Sequence, residues 1–596
     1  MKTFFGAFFG SLVGLVVASI ISIFIVIAMV AGSIKGVMKN GEGGTYTAKA
    51  NSVLHFKING AIVDRGIENP FEDFDFGPFA DAGVLGLNDL RAMLKKAETD
   101  DNIKGVYLDL QNIGTGFASV EELRNSIIEF KKSGKFVYAY SEVYSQKAYY
   151  LATAATKVYL NPQGGMEFKG LSAQIMFFKN MLEKMNVEMQ IFRHGKFKSA
   201  IEPFMLDKMS DANRLQTEAY IGSIWNTMLK GISNARKIDV NTLNTLANNL
   251  TIDLPEDAVK YKLIDGLMYE DEVMDLIRKE LKIKEKEKIN FVALNKYHKS
   301  KGKKGDVKLT RKDKIAVVYA IGQISGGEGD DENIGSERIA KAVRDARNDT
   351  TIKAIVLRVN SPGGGALASD VIWREVNLCK GVKPLVVSMG DVAASGGYYI
   401  SCAADKIYAQ PNTITGSIGV FGVLPNARKL FSEKFGITVD TVNTNKHSDL
   451  GSTMRGVTEE ERGYVQGSVE HIYDVFITRV SDGRKIDKNM VDSIGQGRVW
   501  SGADAIKINL VDELGGLDDA IAYAVKKSKT GADYKLVEFP KQKDPFEKLF
   551  NKGEEELESR IVGKNLGEQY QYLKVVKHLI DQKGVQARLP YDVIIE

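Results

Sequence analysis

The chain has 596 residues, enough for two to four domains, and its 44% hydrophobic and 26% charged residues are typical of a globular protein. Its net charge of +4 is too small to indicate a nucleic-acid partner, and its two cysteines exclude both a disulfide-stapled scaffold and a cysteine-based zinc cluster. The composition therefore indicates a multidomain globular protein, with no nucleic acid among its expected partners.

The N-terminus predicts a membrane anchor. No charged residue occurs from Thr3 to Ile34, where Leu, Ile, Val, Phe and Ala dominate. A helix of this length would reach roughly 48 Å, more than the roughly 30 Å hydrocarbon core of a bilayer. Because a cleaved signal peptide has a shorter apolar region, we interpret residues 1–40 as a retained single-pass anchor. Lysines lie on both sides of it, so the charge bias does not set its orientation.

Two segments of the chain are diverged copies of one unit. The run Ile103–Leu110 resembles Ile352–Val359, and Tyr149–Tyr159 resembles Tyr398–Tyr408, in both cases 249 positions later. A constant offset over this distance indicates a duplication. Each copy alternates apolar strands with amphipathic helices, which predicts an α/β fold of two tandem domains with parallel sheets.

These patterns divide the chain into five parts. A lysine-rich stretch between the two copies is typical of a solvated connector and marks the linker. The predicted parts are, in order, the anchor at residues 1–40, an N-terminal repeat at 50–290, a basic linker at 291–312, a C-terminal repeat at 313–540 and a helical tail at 541–596.

A serine in the second copy is a candidate nucleophile. Ser395 stands between two alanines and two glycines, directly after an apolar strand-like stretch and before a buried helical pattern. Small neighbours let a substrate backbone approach the hydroxyl, and a helix N-terminus offers N–H groups to a developing negative charge. A glycine-rich turn that packs a helix on a sheet would have the same pattern. Gln146 occupies the corresponding position in the first copy, which favours one reacting centre, in the C-terminal half.

A serine nucleophile needs a base, and no histidine of the sequence is recognisable as that base. None of the six histidines lies in a motif typical of a Ser-His-Asp triad, and Ala393 replaces the first glycine of Gly-x-Ser-x-Gly. Lys198 follows Phe197 and precedes small apolar residues, where burial would lower its pKa enough for the neutral amine to act as a base. A surface lysine is the alternative interpretation. The second copy has no lysine at this position, so the serine and the lysine would come from different repeats.

The arrangement resembles the signal peptide peptidase A family, also called protease IV, in its long, duplicated form. The resemblance extends from about residue 50 to about residue 540 and includes the anchor helix. Its specific motifs are Gly-Lys-Phe-Lys-Ser-Ala-Ile-Glu-Pro-Phe at 195–204, Asn-Ser-Pro-Gly-Gly-Gly at 360–365, Asp-Val-Ala-Ala-Ser-Gly-Gly-Tyr-Tyr at 391–399 and Thr-Gly-Ser-Ile-Gly-Val at 415–420.

This resemblance implies a serine endopeptidase with the fold shared by crotonases and Clp proteases and with an acyl-enzyme intermediate. It implies that Ser395 is the nucleophile, Lys198 the general base and Ser417 a hydroxyl that helps to hold the lysine amine. The implied oxyanion hole consists of backbone N–H groups, namely those of Gly396 and of Gly363 or Gly364.

The resemblance also implies substrates, partners and a location. The substrates would be signal peptides released from preproteins, cleaved at the membrane by a homotetramer. The catalytic domains would lie on the extracytoplasmic side of the bacterial cytoplasmic membrane. No metal, cofactor or nucleic acid is implied.

Two other functions fit parts of the sequence. A crotonase-type acyl-CoA enzyme also uses a glycine-rich oxyanion loop, but it has no use for a membrane anchor. An inactive membrane-tethered scaffold would fit the first repeat, which has no serine at the position of Ser395. Intact motifs around both Ser395 and Lys198 favour the peptidase.

Overall fold

Two α/β repeats and short strands near the C-terminus make up the described structure. The computed structural model describes residues 14, 46–67, 85–300, 313–531, 533–542, 585–588 and 594–595. Apart from Gly14, the predicted anchor lies outside these residues. Within them, no helix is both long and apolar enough to cross a membrane.

The first repeat alternates strands and helices. Its described strands are β1 Ser52–Gly60, β2 Ile103–Ile113, β3 Phe136–Tyr144, β4 Lys157–Met166, β5 Ala173–Gln174, β6 Glu188–Arg193, β7 Gly266–Leu267 and β8 Asn290–Ala293. Its described helices are α1 Leu87–Thr99, α2 Phe117–Lys131, α3 Gln146–Ala152, α4 Lys179–Lys184, α5 Glu202–Met205, α6 Asp211–Arg236, α7 Val240–Asn248, α8 Pro255–Lys260, α9 Glu270–Leu281 and α10 Leu294–His298.

Six of these strands form a parallel sheet in the order β7-β4-β3-β2-β1-β8. Side chains of α1 and α2 pack on one face of it, and side chains of α9 pack on the other. Because helices cover both faces, most residues of β1 and β2 are buried, as expected for a parallel sheet.

The second repeat has the same plan. Its described strands, with those of the C-terminal segment, are β9 Lys314–Ile321, β10 Ile324–Ser325, β11 Ile334–Gly335, β12 Ile352–Ser361, β13 Gly363–Gly365, β14 Leu385–Ala394, β15 Lys406–Ala409, β16 Ile414–Gly416, β17 Phe421–Asn426, β18 Val499–Ser501, β19 Glu513–Leu514, β20 Lys535–Phe539, β21 Gln586–Arg588 and β22 Ile594–Ile595. Its described helices are α11 Ser336–Asn348, α12 Ala366–Asn377, α13 Gly396–Ser401, α14 Glu459–Arg484, α15 Lys488–Ile494, α16 Gly502–Ala505 and α17 Leu517–Lys527.

The main sheet of the second repeat has the order β18-β16-β14-β12-β9-β20, parallel except at the β16–β18 edge. A second sheet, β11-β10-β13-β21-β17-β6, takes β6 from the first repeat and β21 from the C-terminal segment. The two repeats therefore share a sheet.

Corresponding elements confirm the duplication. The pairs α1 and α11, β2 and β12, α2 and α12, and β3 and β14 each begin 249 positions apart. In the predicted helical tail, residues 586–588 and 594–595 are strands, because they pair with β13, β17 and β5. Residues 543–584 of the predicted tail lie outside the described residues.

A buried arginine joins the two repeats. Arg358 in β12 is 1% exposed, and its guanidinium donates to Asp64 Oδ1 at 2.7 and 2.9 Å and to Glu122 Oε2 at 2.9 Å. Glu122 also pairs with Arg91 at 3.1 Å and accepts the backbone N–H of Leu517 at 2.9 Å. Burial alone would raise the pKa of Glu122, but the two arginines hold it below its usual value. The paired charges therefore fix one arrangement of the repeats.

We predict that Arg358→Met lowers the free energy of unfolding by about 3–5 kcal/mol, because it leaves the buried Asp64 and Glu122 without their partner. Urea denaturation followed by circular dichroism measures the change. Lys341→Ala removes an exposed pair with Asp345 and should change the same quantity by less than about 0.5 kcal/mol. Equal effects of the two substitutions would contradict a role for Arg358 in joining the repeats.

Candidate active site

The segment that carries Lys198 extends from the first repeat onto the second. β6 pairs antiparallel with β17 over its whole length. The chain then turns at Gly195, and the N–H of Phe197 donates to the carbonyl of Gln496 at 3.0 Å. Lys198 belongs to the first repeat by sequence, but the second repeat holds its backbone.

Two glycines allow the backbone of the lysine segment to lie close to the backbone of the second repeat. Gly497 has a φ of +81°, and a Cβ there would lie 2.6 Å from the N, Cα and Cβ of Lys198. Gly195 has a φ of +90°, and a Cβ there would lie 2.4 Å from the carbonyl oxygen of Gln496. Both positions combine a left-handed backbone with no room for a side chain, so they require glycine.

The structure brings together the three side chains that the sequence analysis assigned to catalysis. Lys198 Nζ lies 2.9 Å from Ser395 Oγ and 3.1 Å from Ser417 Oγ, with the carbonyl oxygen of Ser417 at 3.3 Å. All three residues are completely buried. The distance between the amine and the Ser395 hydroxyl lies within hydrogen-bond reach, roughly 2.6–3.2 Å, as a general base requires.

The electrostatic setting favours a neutral amine. Burial lowers the pKa of Lys198 well below its usual value of 10.5. Among the described residues, no charged neighbour contributes to this shift. The centre of the nearby Phe421 ring lies 6.0 Å from the amine. A neutral amine keeps a lone pair and can accept a proton.

Ser395 lies between a parallel strand and a helix, as predicted, and its backbone is strained. It follows β14 and precedes α13, with φ +53° and ψ −113°. Its N–H donates to the carbonyl of Gly416 at 2.8 Å, and its Oγ lies 3.4 Å from the carbonyl oxygen of Gly419. Non-glycine residues persist at such dihedrals only where the surroundings hold them, and such residues cluster at active sites.

The glycine strand β13 faces the start of α13. A Cβ on Gly363 would lie 2.7 Å from the backbone nitrogen of Gly396, so the two backbones are in close contact. The N–H of Gly363 donates to Ser361 Oγ at 3.1 Å. The carbonyl oxygen of Ala587 also reaches this point, 2.1 Å from a Cβ built on Gly363 and 3.0 Å from one built on Gly396.

In the first repeat a side chain fills the corresponding position. Gln146 Oε1 accepts the backbone N–H groups of Lys169 and Gly170, both at 2.9 Å, and its Nε2 donates to the carbonyl of Gly170 at 2.8 Å. Gln146 is buried. Its contacts close a loop of the first repeat.

The histidines near this region have other partners. His447 pairs with Glu461 at 2.9 Å, and the His194 ring stacks on Tyr473 with the ring centroids 3.7 Å apart. In the described part of the chain, Lys198 is the only side chain hydrogen-bonded to Ser395.

A buried amide that the sequence analysis missed supports the lysine segment. Gln216 in α6 donates to the carbonyl of Phe197 at 3.1 Å and to Ser199 Oγ at 2.9 Å. Its Oε1 accepts the N–H of Val499 in the second repeat at 3.1 Å. Gln216 therefore connects the lysine segment to both repeats. It lies in no motif, so no sequence signal distinguished it from other polar residues of a long helix.

The two repeats also match a known family. Residues 129–284 and 377–531 each match the model of peptidase family S49. The chain belongs to this family. It is therefore a serine peptidase, as predicted, rather than an acyl-CoA enzyme.

Relatives match over most of the chain. Protease 4 of Salmonella typhi is 38% identical over 83% of this chain and 81% of its own length. Protease 4 of Haemophilus influenzae is 37% identical over 72% of this chain and 71% of its own. The chloroplastic serine protease SPPA of Arabidopsis thaliana is 33% identical over 91% of this chain and 78% of its own. These matches confirm the family that the motifs indicated.

Part of the chain is also similar to solved structures. A mutant of ClpP1 from Listeria monocytogenes aligns with 34% of this chain and 94% of its own at 16% identity. The TM-score is 0.24.

We predict that Gly497→Ala lowers kcat/KM for peptide hydrolysis about 10²-fold, because the added methyl group displaces Lys198 by about 1 Å. Gly436→Ala is the matched control: its φ is also positive, at +67°, but no atom lies within 4 Å of the added Cβ. Its kcat/KM should stay near that of the unaltered chain. If both variants lost activity equally, backbone strain rather than contact with Lys198 would be responsible.

Proposed function

We propose that Ser395 attacks the substrate carbonyl while the neutral Lys198 amine accepts its proton. The observation that carries this proposal is the 2.9 Å contact between the buried amine and the buried hydroxyl. Attack forms the bond from Oγ to the carbonyl carbon. The ammonium then gives its proton to the leaving amine, which departs and leaves an acyl-enzyme. Water hydrolyses this ester with Lys198 again as the base.

Neighbouring groups have supporting roles in this mechanism. Ser417 Oγ, 3.1 Å from the amine, orients it toward Ser395. The charge that develops on the substrate oxygen is stabilised by the N–H of Gly396 at the start of α13, with that of Gly363 or Gly364 as the second donor. Gly396 and Gly363 are close enough to serve one oxygen atom.

We further propose that the substrates are released signal peptides, cleaved at the extracytoplasmic face of the bacterial cytoplasmic membrane. The uncharged stretch from Thr3 to Ile34 supports a place at the membrane, because an anchor there would hold the site beside apolar peptides leaving the bilayer. The N-terminal repeat, residues 50–290, would supply the lysine, and the C-terminal repeat, residues 313–540, the serine, on a fold of the crotonase and Clp protease type.

The duplication supports assembly into a homotetramer. Within the chain, α2 packs against β14, and Val392 of β14 packs against the core of the first repeat. The corresponding surfaces, 249 positions away in the other repeat, are exposed. Val143, the counterpart of Val392, is 57% exposed. Leu367 in α12 is 79% exposed, whereas its counterpart in α2, Ala118, is buried. A second copy could therefore meet the first by repeating the contact within the chain, and successive copies would close a ring.

We predict that Ser395→Ala lowers kcat for peptide hydrolysis by about 10³-fold or more, because the nucleophile and its base act as a unit. Gln146→Ala alters the corresponding position of the first repeat and should leave most of kcat. Steady-state assays with a fluorogenic peptide measure both. Comparable residual activities would mean that the reacting centre lies elsewhere.

The pH dependence follows from the burial of Lys198. The base must be neutral, so activity should rise as pH increases through the lowered pKa of Lys198 and should stay high above it, with the rise below the usual lysine value of 10.5. Lys198→Ala should abolish turnover, and Lys196→Ala, at an exposed neighbour, should keep both the rate and the profile. A rising limb near 6.5 that persists in Lys198→Ala would identify a histidine base instead.

A further inference from the structure

A strand from the end of the chain lies in the site. β21 is antiparallel to the glycine strand β13 on one side, where Ala587 pairs with Gly364, and antiparallel to β17 on the other. An extended peptide that binds beside a sheet strand adopts this arrangement. Farther along the chain, β22 pairs antiparallel with β5 of the first repeat.

The register brings one carbonyl to the reacting centre. As described above, the oxygen of Ala587 lies against both Gly363 and Gly396, the glycines between which the substrate oxygen is proposed to bind. The side chain of Ala587 is completely buried in the core of the second repeat. Val585, two residues earlier, packs against the same core, and its carbonyl accepts the N–H of Ala366 at 3.3 Å.

With this strand in position, the nucleophile is inaccessible. Ser395 and Lys198 are both completely buried. A peptidase that acts on separate peptides must expose its nucleophile to them. A peptide can replace the strand only if the strand leaves, because both use the same edge of β13.

We propose that residues 585–588 occupy the position of the substrate, with Ala587 as the residue whose carbonyl faces Ser395, and that the chain thereby inhibits itself. The inference rests on the proposed function of Ser395 and Lys198. It also defines the substrates more closely. A substrate would bind extended and antiparallel to β13, with a small side chain at the position of Ala587 and an apolar one at the position of Val585.

Removal of the strand tests this inhibition. A chain that ends at residue 584 should hydrolyse a fluorogenic peptide with a KM about 10-fold lower than that of the full chain and with the same kcat, because a site that is open one tenth of the time binds with one tenth of its affinity. Ala587→Trp in the full chain should lower KM in the same way, since no space exists for the ring. Ala50→Trp, at an exposed residue, is the matched control and should not change KM.

A synthetic peptide provides a test that does not depend on the folding of a variant. The peptide Gln-Lys-Gly-Val-Gln-Ala-Arg-Leu-Pro-Tyr, residues 582–591, should compete with the fluorogenic substrate on Ala587→Trp or on the shortened chain. The same peptide with Trp in place of its Ala should compete at least about 10-fold more weakly.

Two results would overturn the inference. One is a KM of the shortened chain and of Ala587→Trp within about twofold of the full chain, and the other is equal competition by the two peptides. If neither the full nor the shortened chain hydrolyses peptides or reacts with a fluorophosphonate probe, the proposed function itself fails. Hydrolysis with an unchanged KM refutes only the inhibition by the strand.

Discussion

Burial of an amine with no carboxylate beside it lowers its pKa and favours its neutral form, because the charged form would lose its hydration. Among the described residues, Lys198 meets this condition, with serine oxygens rather than an anion as its hydrogen-bond partners. A lysine that is neutral in the resting protein can act as a base. The groups that hold its segment, Gln216, Gly195 and Gly497, all lie where the repeats meet.

The site therefore depends on the relative position of two repeats that arose by duplication. A contact of 2.9 Å between Lys198 and Ser395 tolerates little movement of one repeat against the other. The buried pairing of Arg358 with Asp64 and Glu122, and the shared sheet in which β6 joins β17, both restrict that movement. Gln146 uses its side chain to close a loop in the copy that has no serine at the position of Ser395.

The sequence predicted what local patterns encode. Apolar runs identified the strands, a constant offset identified the repeats, and small residues around Ser395 identified a strand–helix junction. Gly497, Gln216 and Ala587 could not be predicted in the same way, because each acts through contact with a segment far away in the chain. A strand of three residues such as β21 has no periodicity of its own, so its partners determine both its conformation and its register.

The charge state of Lys198 decides whether its amine can take a proton from Ser395. Two-dimensional NMR of a chain labelled with ¹³Cε-lysine, with the Lys198 signal assigned from its loss in Lys198→Ala, reports the protonation of this amine as pH is varied. We expect the chemical shift of a neutral amine at neutral pH and a titration well below the usual lysine value of 10.5. A Lys198 that titrates at that usual value, with a charged amine beside Ser395 at neutral pH, would contradict it.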